Sequence, residues 1–453
     1  MSTIRGRTAH SKARWKASIL LVACVAVLLA VESRAQPAPS GREGSLENLD
    51  ALTPQALIAA IEANNPDLRS VAAAAEAAAF RIEPAGALAD PTFNYGLAPN
   101  SIGSDIGVRH IGQFSQPLPW PGKRDLRRTI ATHRADAAAR DLDATRLQLF
   151  ATAHQAYAEW HYLHRAIEIN AATQALLTDL ARVAETRYAA GLALQQDVLQ
   201  VEVETVLLQE RQLALEHDRI SLRARINALL NRDPADPLPP PAAIASPESL
   251  PDIQQLRRSA EVGHPEIRRI EAQVAAASAQ VDLADKAFLP DFNVSVGYIG
   301  TLDPADKRLQ IGVSINVPLY RDRRRAERDA ASADLRRDRY RLAARRLEIL
   351  ATLESAYTHT HHAIEVIRLY EERLLQLSEN NLDAALADYR SGAGQFINVV
   401  TAERQLLATE QRYERARADY WRMRAELERA AGGSLVGVGI ASATFPVEAA
   451  RTP

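Results

Sequence analysis

Two stretches, FNVSVGY (292–298) and LQIGVSINV (309–317), decide the fold. In the first, Phe292, Val294, Val296 and Tyr298 alternate with Asn293, Ser295 and Gly297. In the second, Leu309, Ile311, Val313, Ile315 and Val317 alternate with Gln310, Gly312, Ser314 and Asn316. A period of two marks a strand with two unlike faces. Here one face is wholly apolar and the other small and polar, the pattern of a strand that meets lipid outside and water inside a barrel. A soluble sheet buried on one face would alternate in the same way, so the surrounding chain has to discriminate.

That surrounding chain is helical. Before it comes QPLPWPGKR (116–124), a proline cluster that no helix interior tolerates. From Lys123 to Tyr188 there is then neither proline nor glycine, which predicts a rod of about 100 Å at ~1.5 Å per residue. The rod ends at YAAGLALQQD (188–197), a turn-like break, and another helical run follows. Hydrophobic residues are 47% of the chain but aromatics only 5%, so the apolar content is mostly alanine and leucine, suited to helices packed along their length. Long rods offer no compact core to receive the apolar face of the strands.

The chain also repeats itself. Asn65-Pro66-Asp67-Leu68 matches His264-Pro265-Glu266-Ile267, with 265 − 66 = 199. Pro91 and Phe93 match Pro290 and Phe292 at the same offset. Ala151 and Tyr157 match Ala351 and Tyr357, 200 apart, and Tyr188-Ala-Ala-Gly191 matches Tyr389-Arg-Ser-Gly392, 201 apart. A near-constant offset over separated anchors indicates a duplicated half of about 200 residues. The first-half counterpart of the strand pair is therefore Phe93, Tyr95 and Leu97 alternating with Asn94, Gly96 and Ala98, then a weaker stretch that contains Arg109 and His110.

The resulting division has a secretory signal at 1–35, a polar lead-in at 36–52 and a first repeat at 53–232, with strands at about 91–100 and 106–116. A proline-rich linker occupies 233–251. The second repeat spans 252–431, with strands at about 291–300 and 308–317, and a flexible tail runs from 432 to 453. In the signal, Arg5, Arg7, Lys12, Arg14 and Lys16 precede an apolar run from Ala17 to Val31 and then Ser33-Arg34-Ala35, which fits cleavage after Ala35. Leu21-Val22-Ala23-Cys24 also fits a lipoprotein cleavage box, and an uncleaved anchor is the third option. Each one exports the chain. Helices are expected at about 53–89, 123–189, 197–231, 252–288, 322–389 and 396–431, so that two short helices equal one long rod in each half.

Four strands close no conducting barrel, and open edges do not occur in lipid. Several chains would have to share one barrel, and three would supply twelve strands. The fold class expected is mainly α with a membrane β-barrel portion. The net charge of −2 gives no ground for nucleic-acid binding. Cys24 is the only cysteine, which excludes a disulfide framework and a cysteine-based metal site. No phosphate-cradling glycine loop, nucleophile elbow or metal-hydrolase helix motif appears, so an enzyme is not expected, nor a cofactor.

Taken together, the duplicated half, Asn65-Pro66-Asp67-Leu68, the strand exit SQPLPWPGKR (115–124) and the two Tyr-x-x-Gly breaks resemble the TolC-like outer-membrane efflux proteins over nearly all of the exported chain. The strand exit is more similar to the heavy-metal, CzcC-like branch than to the multidrug branch. The resemblance implies a homotrimeric duct, twelve-stranded in the outer-membrane lipid and α-helical across the periplasm. It implies passive conduction of metal cations or drugs, with a periplasmic adaptor (membrane fusion) protein and an inner-membrane pump of the RND type as partners. A duct for type I protein secretion, or a periplasmic coiled-coil adaptor or scaffold, are the alternatives.

The resemblance also implies gated tips at Tyr188–Asp197 and Tyr389–Asn398. The family's first-half tip aspartate falls on Asp197 and its second-half tyrosine on Tyr389. Its second-half arginine falls on Gly394 and its second-half aspartate on Asn398, so the familiar closing network is not intact. Asp197 is alternatively the N-cap of the helix 197–231; Tyr389 is alternatively a packing residue. Gly191 and Gly392 would permit the tip turns or meet the adaptor. His161 and His164, like His359 and His362, are three apart and share a helix face, as metal ligands could. With no fixed acidic or cysteine partner, they and His154 and His361 are expected instead to be solvated, with no metal site.

Overall fold

A computed structural model of the chain describes residues 49–98, 109–301 and 308–435. The signal segment, the lead-in to residue 48, both hairpin tips and the tail beyond 435 lie outside the described residues. In the first half, helices α1 (Pro54–Asn64), α2 (Pro66–Phe80) and the short α3 (Ile82–Gly86) lead to strands β1 (Thr92–Ala98) and β2 (Arg109–Leu118). The long rod α4 (Lys123–Ala189) and α5 (Gln195–Leu229) follow. The second half repeats this order with α6 (Ile253–Gly263), α7 (Pro265–Lys286), β3 (Phe292–Thr301), β4 (Arg308–Ile315), α8 (Arg321–Leu369), a π-helical turn at Tyr370–Leu374, α9 (Leu375–Ser391) and α10 (Phe396–Ala431).

The helix expected at 53–89 is broken twice. Asn65 lies extended between α1 and α2, and its side-chain oxygen accepts the Leu68 amide at 3.0 Å. Pro66 supplies the first helical residue, where a missing N–H costs nothing. Pro84 cannot donate into the ladder, and α3 is a separate turn that ends at Gly86 instead of Ala89. At the equivalent break of the second half, His264 Nδ1 accepts the Glu266 amide at 3.2 Å, and the helix expected at 252–288 becomes α6 and α7.

The four strands form one antiparallel sheet in the order β1-β2-β3-β4. The β2–β3 seam joins the two halves, with Phe114 opposite Val296 and Leu118 opposite Phe292. Two strand ends differ from expectation. β2 continues past Gln116 to Leu118 because Phe292 pairs with it. The β1 ladder begins at Thr92 opposite Ser115, so Pro117 lies beyond its end, where a missing donor is tolerated. β4 stops at Ile315, short of Val317, because its partner β3 begins at Phe292.

Register puts every expected apolar position on one face. Phe93 stands opposite Phe114, Phe114 opposite Val296, and Val296 opposite Ile311. Tyr95, Tyr298, Leu309, Val313 and Ile315 share that face. The other face carries Thr92, Asn94, Gln113, Ser115, Asn293, Ser295, Gln310 and Ser314. Ile311 is 71% exposed and Phe93 58%, so nothing among the described residues covers the outer part of the apolar face.

The extra residue in the second rod has a structural form. Between the tyrosine pair 157/357 and the pair 188/389 the repeat offset grows from 200 to 201. The π turn at Tyr370–Leu374 lies inside that interval, and a π turn is how a helix absorbs one inserted residue. The Tyr413 hydroxyl donates to Glu371 at 2.8 Å, and the Tyr370 and Tyr413 rings lie 6.3 Å apart across the bulge.

The linker, residues 233–251, opens with a turn at Asp233–Asp236 and carries neither helix nor strand, and it is anchored. Leu52 forms a parallel bridge with Pro241, donating to the Pro240 carbonyl and accepting from Ala242, both at 2.8 Å. The Tyr157 hydroxyl lies 2.8 Å from the Ala242 carbonyl and 3.0 Å from that of Leu52, and Trp160 Nε1 donates to Pro239 at 3.1 Å. Burial pushes the Tyr157 hydroxyl up to about 12, opposed by its bond to Ala242, so it stays a donor. Tyr157→Phe should remove one buried hydrogen bond and lower stability by about 1–2 kcal/mol. Denaturant unfolding checks this, and an unchanged midpoint would mean the phenol does not hold the linker.

Candidate functional site at the helix turns

The two turns of interest close α4 onto α5 and α9 onto α10. In each, a glycine adopts a left-handed conformation: Gly191 at φ +70° and Gly392 at φ +82°. The Gly392 amide donates to the Tyr389 carbonyl, and the amides of Ala393 and Gly394 both reach the Asp388 carbonyl. This knot leaves no room at Gly394, where an added Cβ would lie 2.8 Å from that of Asp388. The absence of a side chain at 394 is therefore required by the turn in this conformation.

Tyr389 is buried, and its ring meets Phe396 edge-on at 5.2 Å. Both belong to an apolar cluster with Leu177, Leu180, Val201, Leu386 and Val399 that joins first-half and second-half helices. Arg187, from the first-half turn, lies 4.7 Å above the Tyr389 ring and donates to the Tyr389 carbonyl at 3.2 Å. A guanidinium over an aromatic face is attracted by the ring's quadrupole. Burial, together with the Asp197 carboxylate, holds the Tyr389 hydroxyl above its ordinary range, while Arg187 opposes the shift. Arg187, Tyr389 and Asp197 thus form one electrostatic group across the two halves.

Asp197 is not an N-cap. The helix begins at Gln195 with Leu194 as the cap, and no side chain completes that cap. Asp197 is the third helical residue, inside the first turn, where the helix dipole favours an anion. Asn398 holds the equivalent position in α10, with its side chain exposed and without the negative charge. A Cβ added at Gly191 would meet nothing within 4 Å. The turns thus gather Asp197 and Tyr389, while Asn398 and Gly191 stand apart.

Sequence reasoning passed over Arg187. A signal was present, because the 201-residue offset places Arg187 opposite Asp388, a reversal of charge at equivalent positions. It also passed over a group two turns further along. Buried Glu204 of α5 accepts both ends of the Arg404 guanidinium from α10, with Nε at 2.7 Å from Oε2. Beside it Glu403 is 3% exposed, and its Oε1 has no partner among the described residues.

The histidines divide between the rods. His359, His361 and His362 are exposed, as expected, but His161 is buried and His154 and His164 are half-buried. The reason is that this part of α4 packs against α5 and α10, whose Arg219, Arg417 and Arg424 act on the histidines. Burial depresses His161 to about 4, with Arg417, Arg165 and His164 adding to the effect. It also lowers His154 and His164. Among the described residues, no group of three or more His, Cys, Asp and Glu is placed to hold a metal ion.

A family model described as Outer membrane efflux protein matches residues 57–232 and 256–433. The chain belongs to that family. Outer membrane efflux proteins reside in the outer membrane and extend into the periplasm, and this one carries the family's architecture of long helices with a four-stranded sheet. It is 25% identical over 326 residues to Protein CyaE of Bordetella pertussis (strain Tohama I), covering 69% of this chain and 68% of that protein. Its fold is similar to the outer membrane protein VceC of Vibrio cholerae, with a TM-score of 0.72 at 20% identity, over 84% of this chain and 96% of that one. The channel CusC gives a TM-score of 0.73 at 17% identity, over 84% and 92%. Among the described residues, no helix is long and apolar enough to cross a membrane.

The efflux protein's Glu403 carries a pH dependence. Burial pushes its carboxyl up to about 7, the Glu204 carboxylate adds to this, and Arg404 opposes it. The folded state therefore binds its proton more tightly than the unfolded chain does, and stability is lost as pH rises from the unfolded value toward about 7. In thermal unfolding of the detergent-solubilised protein, Glu403 should contribute a falling slope between pH 5 and about 7. It is set against the rising slope of the buried histidines, whose lowered values act in the opposite sense and persist in a Glu403 variant. Glu403→Gln should remove the falling contribution. An identical slope in the variant would assign the titration elsewhere.

Proposed function

We propose that three copies of the chain close one twelve-stranded barrel in the outer membrane, and that their helices continue its bore through the periplasm as a passive duct. The observation that carries this is the sheet: one uncovered apolar face, one polar face, and unpaired edges at β1 and β4. In lipid those edges must be satisfied, and an antiparallel sheet with an even strand count lets β4 of one copy meet β1 of the next in the same antiparallel sense. The polar face then lines a water-filled lumen.

The helix turns form the far end of the duct and serve as its gate. Asp197 from three copies would ring the lumen with negative charge and draw in cations. Arg187 on Tyr389 ties the paired turns of each chain together. Gly191 and Gly392 let the turns fold back tightly enough to fit, and Asn398 weakens the second-half contribution to the ring. The gate opens when a periplasmic adaptor docks at the turns. An inner-membrane pump, of the RND type, supplies energy and cargo. Metal cations are the favoured cargo over drugs, on the likeness of the strand exit at 115–124 to the heavy-metal branch.

Membrane fractionation followed by single-channel recording tests the duct. The expected result is a detergent-requiring, heat-sensitive trimer that conducts ions; a freely soluble monomer sinks the reading. The register gives a sharper pair, because Ile311 and Gln310 point to opposite faces. Ile311→Arg should cost about 2–4 kcal/mol of membrane insertion if that residue sits near the bilayer middle. Gln310→Arg should insert normally and shift ion selectivity toward anions. Equal behaviour of the two variants would mean the faces are not lipid and lumen.

The gate has its own readout. Arg187→Ala removes the cation–π contact and a hydrogen bond in every copy, and is expected to move the resting duct from almost closed to mostly open without changing unit conductance. No change in open probability would leave Arg187 a packing residue.

A further inference from the structure

The two halves enter their long rods with similar basic runs, and the structure uses them differently. In the first run Lys123 and Arg124 are spent inside the fold, while Arg127 and Arg128 are exposed. Lys123 is buried, donating to the Leu289 carbonyl at 2.9 Å and pairing with Asp291 at 2.8 Å. Arg124 donates to the Gly86 carbonyl at 2.9 Å, and Arg128 pairs with Glu83 at 2.7 Å. The second run, Arg321 to Arg328, has no such internal work. Arg321, Arg324, Arg325 and Arg328 are spaced i, i+3, i+4, i+7 and form one stripe on α8. Arg325 reaches Asp322 at 3.5 Å, and Arg328 reaches Asp329 at 2.9 Å, both on the surface. Arg321 and Arg324 have no ion pair among the described residues.

Local stability does not explain the stripe. Arginine in the first turn of a helix opposes the helix dipole, and α8 begins at Arg321. The approach to it is equally unusual: after β4 ends at Ile315, Val317, Leu319 and Tyr320 are all exposed, Leu319 at 77% and Tyr320 at 80%. They form an exposed apolar segment that leads from the end of β4 through two tight turns to the start of the arginine stripe. An apolar band, then a tyrosine, then a row of cations is the order met when passing from acyl chains through the interface to the phosphates.

We infer that Tyr320 and the arginine stripe of α8 form a docking site for anionic glycerophospholipid headgroups at the helix-side face of the membrane, with Arg321 and Arg324 gripping the phosphate. Guanidinium groups suit this task because they present paired donors to phosphate oxygens and stay charged at every relevant pH. The site rests on the membrane placement of the sheet. It explains the asymmetry between the halves: one basic run braces the junction of strands and helices, and the other holds the surrounding lipid. In a symmetric assembly the stripe recurs around the rim and fixes the depth at which the barrel sits.

Native mass spectrometry of the full-length protein in mild detergent, titrated with phosphatidylglycerol or phosphatidylcholine, tests this. The wild type should prefer phosphatidylglycerol by about tenfold or more, in line with the attraction of individual basic residues to anionic surfaces. Arg321→Gln with Arg324→Gln should reduce that preference to about threefold or less. Arg323→Gln, off the stripe and paired with Glu327 at 2.8 Å, should leave it intact. Equal binding of both lipids by a wild-type protein that conducts would overturn the lipid site while leaving the duct standing. A double variant that falls apart into monomers while keeping the wild-type lipid preference would likewise overturn it, assigning the arginines to contacts between copies. Should the double variant fail to fold, Arg321→Gln alone is expected to lower the preference, and an undiminished preference there counts against the site.

Discussion

A backbone amide in hydrocarbon must find a partner within the protein, because no water is present to supply one. The rest of this molecule follows from that constraint. The sheet satisfies its three internal seams and leaves an edge on β1 and another on β4. Its apolar face is not covered by any of the described residues. Neither feature would survive in water, where open edges invite aggregation. Both are resolved at once by copies that donate an edge to one another and turn the same face to lipid. An α4 of 67 residues, about 100 Å long, makes sense as the continuation of such a ring and has no evident purpose in a lone chain.

Duplication supplied this architecture cheaply, and divergence between the halves supplied its working parts. Asn65 and His264 cap equivalent breaks with different chemistry. Arg187 and Asp388 occupy equivalent positions with opposite charges; one reaches across to the other half, while the other's carbonyl closes its own turn. Lys123 is buried at the junction of strand and rod, whereas Arg321 stands in solvent at the corresponding place. The polar ties between the halves lie along the whole stack: Arg404 on Glu204 near the turns, Arg165 on Glu414 and Arg415 on Glu159 further along. Each is partly exposed, so each contributes little to stability by itself. Their value is register, since rods with alanine-rich faces can slide where ridges are shallow.

What could be read from the sequence divides along the same line. Periodicity exposed the strands and their faces because lipid and water impose opposite demands on alternate residues, and those demands leave a pattern. The rods were legible from the lack of proline and glycine between Lys123 and Tyr188. The π turn was present in the sequence as a one-residue drift of the repeat offset, although the drift alone does not say where the extra residue is absorbed. Strand ends were misjudged because they depend on where a partner begins: Phe292 sets the ends of both β2 and β4. Asp197 was misjudged as a possible cap because the helix starts two residues earlier, without a capping side chain. The histidines of α4 were misjudged because their burial comes from neighbouring helices, α5 and α10, which local spacing does not register.

The gate follows the same logic of what a turn permits. Gly394 cannot carry a side chain in this conformation, so a clamp of the kind an arginine would provide there is excluded by backbone shape. Arg187 reaches Tyr389 from the opposite turn instead, which moves the clamp inside one chain. A cation–π contact of about 0.5–2 kcal/mol and a hydrogen bond of about 1 kcal/mol give roughly 1.5–3 kcal/mol per chain. In the proposed trimer that amounts to about 5–9 kcal/mol, against the roughly 5.5 kcal/mol needed to carry a two-state equilibrium from almost closed to almost open. In the proposed duct, a lock on this scale would hold the bore shut at rest. Such a lock would also yield to the proposed partner docking at three equivalent turns with a gain of only a few kcal/mol at each, so the proposed release needs no chemical step within this chain.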